Sequence, residues 1–106
     1  MVWNSDEPYF VISVVARMVG VQAHSLRYYE RQGLVEPSRS RGNIRLYRQS
    51  DVVRLRMIKT MIDDMGVNLA GVEVVLRMMD RVMELEQENR RLITKLTGVR
   101  GVGKTR

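Results

Sequence analysis

The sequence contains no cysteine, only two prolines and a single histidine among its 106 residues. Without cysteine the chain has no disulfide bridge, no thiolate metal ligand and no thiol that senses oxidation. One histidine, with no clustered carboxylates beyond the neighbouring Asp63 and Asp64, supplies too few ligands for a metal site. No apolar run approaches the roughly 20 residues that cross a bilayer, and residues 1–7 do not resemble a secretory signal. We therefore expect a cytoplasmic protein with no membrane association, metal or cofactor.

The residue patterns of catalysis are missing as well. His24 has no nucleophile or carboxylate at a motif spacing, and no glycine-rich loop connects a strand to a helix. The segment Gly-Val-Gly-Lys-Thr at 101–105 matches the end of a phosphate-binding loop only in its letters, since no strand is predicted before it and no helix after it. The sequence therefore argues against an enzyme.

Positive charge is concentrated in one part of the chain. The protein has 18 Lys and Arg against 12 Asp and Glu, a formal net charge of +6. The segment 17–59 holds ten basic and three acidic residues, a local charge of +7, whereas the remainder carries −1. Such a concentration predicts an anionic partner for this segment. The alternative is a basic surface that only keeps the protein soluble.

Residues 10–33 have the pattern of two short helices joined by a tight turn. A β-type run at 10–12 ends at Ser13, which we expect to cap the first helix. Gly20 stops that helix, a second begins near Ala23, and Gly33 is a natural left-handed residue after its end. Two short helices around a glycine-containing turn predict a helix-turn-helix.

The next segment, 38–48, reads as a small β-hairpin. Gly42 and Asn43 supply the turn, and the residues after them alternate as in a strand, which predicts a wing with arginines at its tip and outer face. A pair of helices follows, the first capped by Ser50 and the second by Asn68.

From residue 75 onward the apolar spacing alternates between three and four, as in the seam of a two-stranded coiled coil. One seam residue, Asn89, is polar, and a lone Asn there fixes register and strand number at a cost in stability. The alternative is an amphipathic helix that packs onto its own domain. The residues predicted to mediate dimerisation are Val82, Leu85, Asn89, Leu92 and Leu96.

These patterns predict a mainly α-helical fold with four parts. Residues 1–8 are expected to form a disordered N-terminal segment and residues 9–79 a winged helix-turn-helix domain with its helix pair. Residues 80–97 are expected to form the dimerisation helix and residues 98–106 a flexible basic tail.

Nucleic-acid binding explains this arrangement better than any other function. Arginine and serine on the second helix can reach base edges in the major groove, and tyrosine hydroxyls can bind phosphate. An arginine-bearing wing can straddle the backbone or reach the minor groove. Tyr29 is assigned to the core beneath the helix. Glu30 is expected to brace Arg27 or Arg31, or to cover the helix surface. The predicted DNA contacts are Ser13, His24, Ser25, Arg27, Tyr28, Arg31, Arg39, Arg41, Asn43, Arg45 and Tyr47.

Several of these motifs resemble the MerR family of transcription regulators. The most specific is Leu26-Arg27-Tyr28-Tyr29-Glu30 followed by Gly33-Leu34-Val35, supported by the segments 13–16, 43–47 and 51–52. The similarity runs from about residue 9 to residue 79. Within the family, the segments 9–13 and 66–72 resemble the heat-shock repressor (HspR) branch.

The resemblance implies a homodimer joined by an antiparallel coiled coil and bound to an inverted repeat at a promoter. It implies DNA contacts from Arg27 and Tyr28 on the second helix and from Arg45 on the wing. Similar repressors control chaperone operons and use the chaperone DnaK as co-repressor. The charges of the heptads leave strand direction open, because an antiparallel pair matches Arg81 with the partner's Glu88 and a parallel pair matches it with the partner's Glu86.

We therefore predict a sequence-specific DNA-binding regulator associated with the bacterial nucleoid, acting as a repressor of heat-shock or chaperone genes. The chain departs from metal- and redox-sensing family members because it has no cysteine. We also expect no drug-binding domain of the kind that multidrug regulators carry, because the residues after Leu96 are too few to build one. Two alternatives remain open. One is an activator that untwists promoter spacer DNA, and the other is a protein-interaction adaptor that uses the winged domain as a docking surface.

Overall fold

The structure is a computed structural model that describes residues 8–104 of the 106-residue chain and the side chains of residues 8–98. The fold is mainly helical, with one small three-stranded antiparallel sheet. The elements in chain order are β1 (Tyr9–Phe10), α1 (Ile12–Val19), α2 (Ala23–Arg31), β2 (Ser38–Arg39), β3 (Arg45–Arg48), α3 (Gln49–Lys59), a π-helical turn (Thr60–Asp64) and α4 (Leu69–Lys104). The chain forms two compact units that divide within α4, between Val72 and Glu73. None of the helices described is both long and apolar enough to cross a membrane.

Helices α1 and α2 form the predicted helix-turn-helix. Gly20 ends α1 in the left-handed conformation, with φ of 84°, and its N–H donates to the Ala16 carbonyl at 2.8 Å. The predicted cap is wrong, because α1 begins at Ile12 and Ser13 lies inside the helix. The carbonyl of Val11 accepts the first helical hydrogen bonds, and the preceding strand is correspondingly shorter than predicted.

The wing is an antiparallel pair of β2 and β3, with Ser38 opposite Leu46 and Arg39 opposite Arg45. Asn43 turns the chain between the strands with a φ of 64°, a conformation that Asn tolerates better than most residues. Strand β1 pairs with the other edge of β3, so that β3 lies at the centre of the sheet. The N-terminal strand is thereby tied to the wing.

The two helices after the wing are present, but their boundaries differ from the sequence-based ones. Helix α3 begins at Gln49, so Ser50 lies inside it, and the carboxylate of Asp51 accepts the backbone N–H of Arg48 at 2.8 Å. Asn68 does cap α4, because its Oδ1 accepts the N–H of Gly71 at 2.8 Å. Aspartate and asparagine thus each accept one backbone N–H at the two helix starts.

Helix α4 is continuous from Leu69 to Lys104. The second helix of the predicted pair and the predicted dimerisation helix are therefore one element. The helix also continues beyond residue 98, where the tail was predicted to begin, so that prediction gave the wrong helix end. Residues 1–7 and 105–106, which carry most of the predicted N-terminal segment and the end of the predicted tail, lie outside the described residues.

The core of the first unit is apolar and is drawn from every helix in it. Val15 of α1, Leu26 of α2, and Leu55 and Ile58 of α3 are fully buried. Burial of each large aliphatic side chain contributes about 1.5–3 kcal/mol relative to its exposure. Packing against this core holds both α2 and the wing in place.

Candidate nucleic-acid interface

Helix α2 buries Leu26 and turns most of its polar side chains to solvent. His24, Arg27 and Arg31 are exposed, and Ser25 is half-buried. Tyr28 is 40% exposed, and the guanidinium of Arg31 lies 5.7 Å from the centre of its ring. A cation over a tyrosine ring at this distance is a favourable contact that restrains both side chains. The predicted recognition residues of α2 are therefore accessible to a nucleic acid.

Tyr29, assigned to the core from the sequence, is half-buried. Its ring lies 6.2 Å from that of Tyr28, at an interplanar angle of 56°. Desolvation by burial, followed by the negative charge of Asp63, raises the pKa of Tyr29 above its ordinary value. The phenol therefore stays neutral throughout the physiological range.

A cavity of about 350 Å³ lies beside α2. It is lined by three of the predicted contact residues on α2 and by residues from the π-helical turn to the start of α4. Its lining residues are His24, Ser25, Tyr28, Tyr29, Ile62, Val67, Asn68 and Leu69.

The wing exposes Arg39, Arg41 and Asn43, and Ser13 is exposed on α1. Arg45 is half-buried, with 24% of its side chain accessible. Ser13, Arg39, Arg41 and Asn43 thus lie on the surface of the helix-turn-helix and its wing, whereas Arg45, predicted on the outer face of the wing, pairs instead with Glu30 of α2.

Tyr47 is the one predicted DNA contact that is fully buried. It forms part of the core, and the prediction that it contacts DNA is therefore wrong. Alternate residues of a strand share a face, and Arg45 on the same face of β3 reaches Glu30 of α2. That face is therefore turned toward the helices, and burial raises the pKa of the Tyr47 phenol.

Glu30 forms ion pairs that the sequence analysis did not predict. Its carboxylate accepts a hydrogen bond from Nε of Arg45 at 2.5 Å and another from Nη2 of Arg39 at 3.2 Å. We call Glu30, Arg39 and Arg45 the Glu30 cluster. Neither Arg27 nor Arg31, the partners proposed from the sequence, forms these ion pairs. The available signal was weak: Glu30 is one of only three acids in the basic segment 17–59.

The electrostatics of the cluster favour an ionised carboxylate. Desolvation of Glu30 opposes ionisation, but the hydrogen bond and positive charge of Arg45, together with those of Arg39, outweigh it. The pKa of Glu30 is therefore lowered from its ordinary value. The same carboxylate connects α2 to both strands of the wing.

The residues predicted to mediate dimerisation lie on the part of α4 in the second unit. Val82, Leu85, Leu92 and Leu96 are 48–59% exposed, and Asn89 is exposed among them. Arg81 pairs with Glu84 at 3.0 Å and Glu88 with Arg91 at 2.6 Å within the helix. The predicted seam is thus an exposed apolar stripe flanked by charged side chains.

Comparison with known proteins identifies the family. Residues 10–79 match the model of the MerR HTH family regulatory proteins. The chain is 38% identical over 95 residues to a putative heat shock protein HspR of Streptomyces coelicolor, an alignment that covers 90% of this chain and 63% of that protein. It is 40% identical over 77 residues to the HTH-type transcriptional regulator GlnR of Bacillus anthracis, covering 73% of this chain and 59% of the relative. The chain thus spans less than two thirds of the length of these relatives.

Solved structures show the same fold. One is HiNmlR, a MerR family regulator lacking the sensor domain and bound to promoter DNA, with a TM-score of 0.61 and 16% identity over 87% of this chain and 76% of that one. Another is a MerR family transcriptional regulator from Bacillus cereus, with a TM-score of 0.57 and 26% identity over 85% and 75%. Because HiNmlR is only 16% identical to this chain, the similarity between the two structures shows a shared fold and nothing more. The relatives of this chain are transcription regulators rather than enzymes. Because the family model covers well over half of the chain, the chain belongs to the MerR HTH family of regulatory proteins.

Proposed function

We propose that this protein is a sequence-specific DNA-binding transcription regulator that acts as a homodimer on an inverted-repeat operator. The observation that carries the proposal is the joint exposure of the polar face of α2 and of the wing within a segment of charge +7. A convex, basic helix beside a basic hairpin fits a major groove and its flanking phosphates.

In this proposal α2 enters the major groove. Arg27, Arg31 and Ser25 reach base edges, where arginine pairs with guanine, and His24 and Tyr28 hold phosphates at the groove edge. Arg41 and Asn43 at the wing tip, together with Arg39 and Arg45, contact the adjacent backbone. Ser13 contributes a hydroxyl in the first turn of α1, where free backbone N–H groups favour a phosphate. Tyr47 supports the wing from the core and makes no contact.

Dimerisation would use the exposed stripe of α4. Apolar seam residues that are about half exposed in a single chain are covered when two such helices form a coiled coil. A two-fold dimer then places its α2 helices in successive major grooves, about 34 Å apart or a multiple of that distance. Occupation of the promoter by the dimer would block polymerase.

The proposed targets are heat-shock or chaperone genes, with DnaK as co-repressor, in the bacterial cytoplasm at the nucleoid. This part of the proposal is supported by the 38% identity to the protein named as a putative heat shock protein HspR. The identity of 40% to a regulator named GlnR supports the DNA-binding function without favouring that regulon.

The test begins by selecting duplexes from a random-sequence library with the purified protein. Fluorescence anisotropy then compares the enriched duplex with a scrambled duplex of the same composition, at two salt concentrations and with or without DnaK. We expect an inverted repeat, a specificity ratio above about a thousand, and a slope of log affinity against log salt of roughly −5 to −7. Tightening by DnaK would support the heat-shock assignment, whereas specific binding that ignores DnaK would contradict it. Equal affinity for both duplexes would contradict the DNA-reading function and favour a protein-interaction adaptor.

A further inference from the structure

The Glu30 cluster joins three elements through one carboxylate. Glu30 lies near the C-terminal end of α2, Arg39 is on β2 and Arg45 is on β3. Arg39 also donates from Nη1 to the carbonyl of Asn43 at 3.3 Å, which extends the hydrogen-bond network to the turn of the wing. The cluster therefore connects the helix proposed to read bases with the hairpin proposed to hold phosphates.

The strand register places two like charges opposite each other, next to the carboxylate of Glu30. Arg39 and Arg45 are directly opposite each other in the β2–β3 pair. Like charges that face each other across a strand pair destabilise it, and a carboxylate between them converts the repulsion into two attractions. With 23% of its side chain accessible, Glu30 is screened less than a fully exposed acid. Its removal would leave two arginines facing each other next to the turn of the wing.

The cluster also acts on the charge that a DNA backbone meets. An arginine has five N–H donors, and the contacts to Glu30 occupy one donor of Arg45 and one of Arg39, which leaves others for phosphate. The carboxylate reduces the charge of the cluster from +2 to +1. Specific binding gains from arginines that are already held in place, because less side-chain entropy is lost on binding. Binding to random DNA depends mainly on how much positive charge is present.

We infer that Glu30 is a positioning residue that determines discrimination between operator and random DNA, by holding Arg39 and Arg45 against α2 and offsetting their charge. This inference rests on the proposed DNA-binding function. It predicts opposite effects of removing the carboxylate on the two kinds of DNA. The wing arginines lose their fixed position, which weakens operator binding, while the gain in positive charge strengthens binding to random sequence.

The experiment measures anisotropy of Glu30→Gln on the selected duplex and on its scrambled control. We expect weaker operator binding, equal or tighter binding to the scrambled duplex, and a specificity ratio that falls about tenfold or more. The salt slope on scrambled DNA should become steeper by about one. Glu36→Gln is the matched control, because Glu36 is an exposed carboxylate on the loop between α2 and β2, outside the Glu30 cluster, and its loss makes the same change in formal charge.

Glu30→Asp separates geometry from charge. The aspartate keeps the charge but is one methylene shorter, so we expect scrambled-duplex affinity to stay at the wild-type value while operator affinity falls. Circular dichroism and chemical unfolding of each variant establish the folded fraction used to calculate the affinities.

A double-mutant cycle provides the second measurement. If Glu30 acts through the wing, Glu30→Gln should cause little further loss of specificity in a chain that already carries Arg39→Gln and Arg45→Gln. An equal loss in both backgrounds would overturn the inference, as would a specificity ratio of Glu30→Gln within twofold of wild type. Failure of the wild-type protein to discriminate the two duplexes would instead overturn the proposed function.

Discussion

The guanidinium of Arg54 in α3 donates from Nε to the backbone carbonyl of Leu34, at a distance of 2.6 Å. Leu34 follows the end of α2, and its side chain is 2% exposed. The hydrogen bond therefore fixes the segment through which the chain passes from α2 toward the wing. A charged donor is suited to a carbonyl that has left bulk water, because such bonds are shorter and stronger than neutral ones.

Replacement of Arg54 by methionine should destabilise the first unit. Methionine keeps much of the aliphatic length but removes the donor, which leaves a partly buried carbonyl without its partner. We expect the free energy of unfolding to fall by about 1.5–3 kcal/mol in urea titrations. Arg56→Met is the control, since Arg56 is exposed and its bond to the Met18 carbonyl is 3.4 Å long. Equal effects of the two substitutions would contradict the role given to Arg54.

The ionisation of Glu30 links the stability of the wing to pH. Because its pKa in the folded state is lowered from the ordinary value of 4.5, the carboxylate stabilises the fold fully above that value. This contribution is lost as the pH falls through the folded-state pKa. A carbon-detected NMR titration of the Glu30 carboxyl should report the lowered pKa, and Arg45→Gln should raise it. A midpoint that is unchanged by Arg45→Gln would show that the ion pair does not control ionisation.

Local signals in the sequence predicted much of the fold. Gly20 ends α1, Asn43 turns the wing and Asn68 caps α4, each through backbone requirements that only a few residue types meet. The helices α3 and α4 could be predicted equally well, because their apolar spacing repeats over several turns. Such features depend on residues within a few positions of one another.

Tertiary contacts account for the errors at Glu30 and Tyr47. The partners of Glu30 are 9 and 15 residues away, and no local pattern distinguishes Arg45 from Arg27 or Arg31 as its partner. The alternating pattern of the strand separates its two faces but does not show which face is turned toward the helices. Tyr47 was therefore assigned to the surface. For the candidate site, sequence identified the exposed residues of α2 and the wing but not the carboxylate that connects them.

Arg27 and Arg45 together test whether the chain reads DNA or serves as a protein-interaction adaptor. Arg27→Ala together with Arg45→Ala should weaken operator binding by about 1–3 kcal/mol for the base contact of Arg27, with a further loss for the phosphate contact of Arg45. Anisotropy measures this loss, and circular dichroism should show an unchanged fold because neither side chain belongs to the core. An adaptor protein would instead keep its affinity for a protein partner in this variant.

Asn89 is the polar residue of the exposed stripe on α4. In a coiled coil its replacement by leucine should raise the melting temperature, because the seam becomes continuous, and should loosen the register or the number of chains. Thermal unfolding and analytical ultracentrifugation measure the two effects separately. A variant that remains strictly dimeric with an unchanged melting temperature would show that Asn89 has no specifying role.

The direction of the two α4 helices in the dimer is tested by cross-linking, which the absence of cysteine makes simple. Arg81 would lie near the partner's Glu88 in an antiparallel pair and near the partner's Glu86 in a parallel one. Arg81→Cys is mixed with either Glu88→Cys or Glu86→Cys, and a short bifunctional thiol reagent traps the heterodimers. We expect the Arg81–Glu88 combination to cross-link faster, because the family resemblance implies the antiparallel arrangement. Each single-cysteine variant alone provides the background rate, because in such a sample a cross-link can form only between two copies of the same position. Faster cross-linking of the Arg81–Glu86 combination would contradict this expectation and show that the two helices are parallel. The residues assigned to the seam would stay the same.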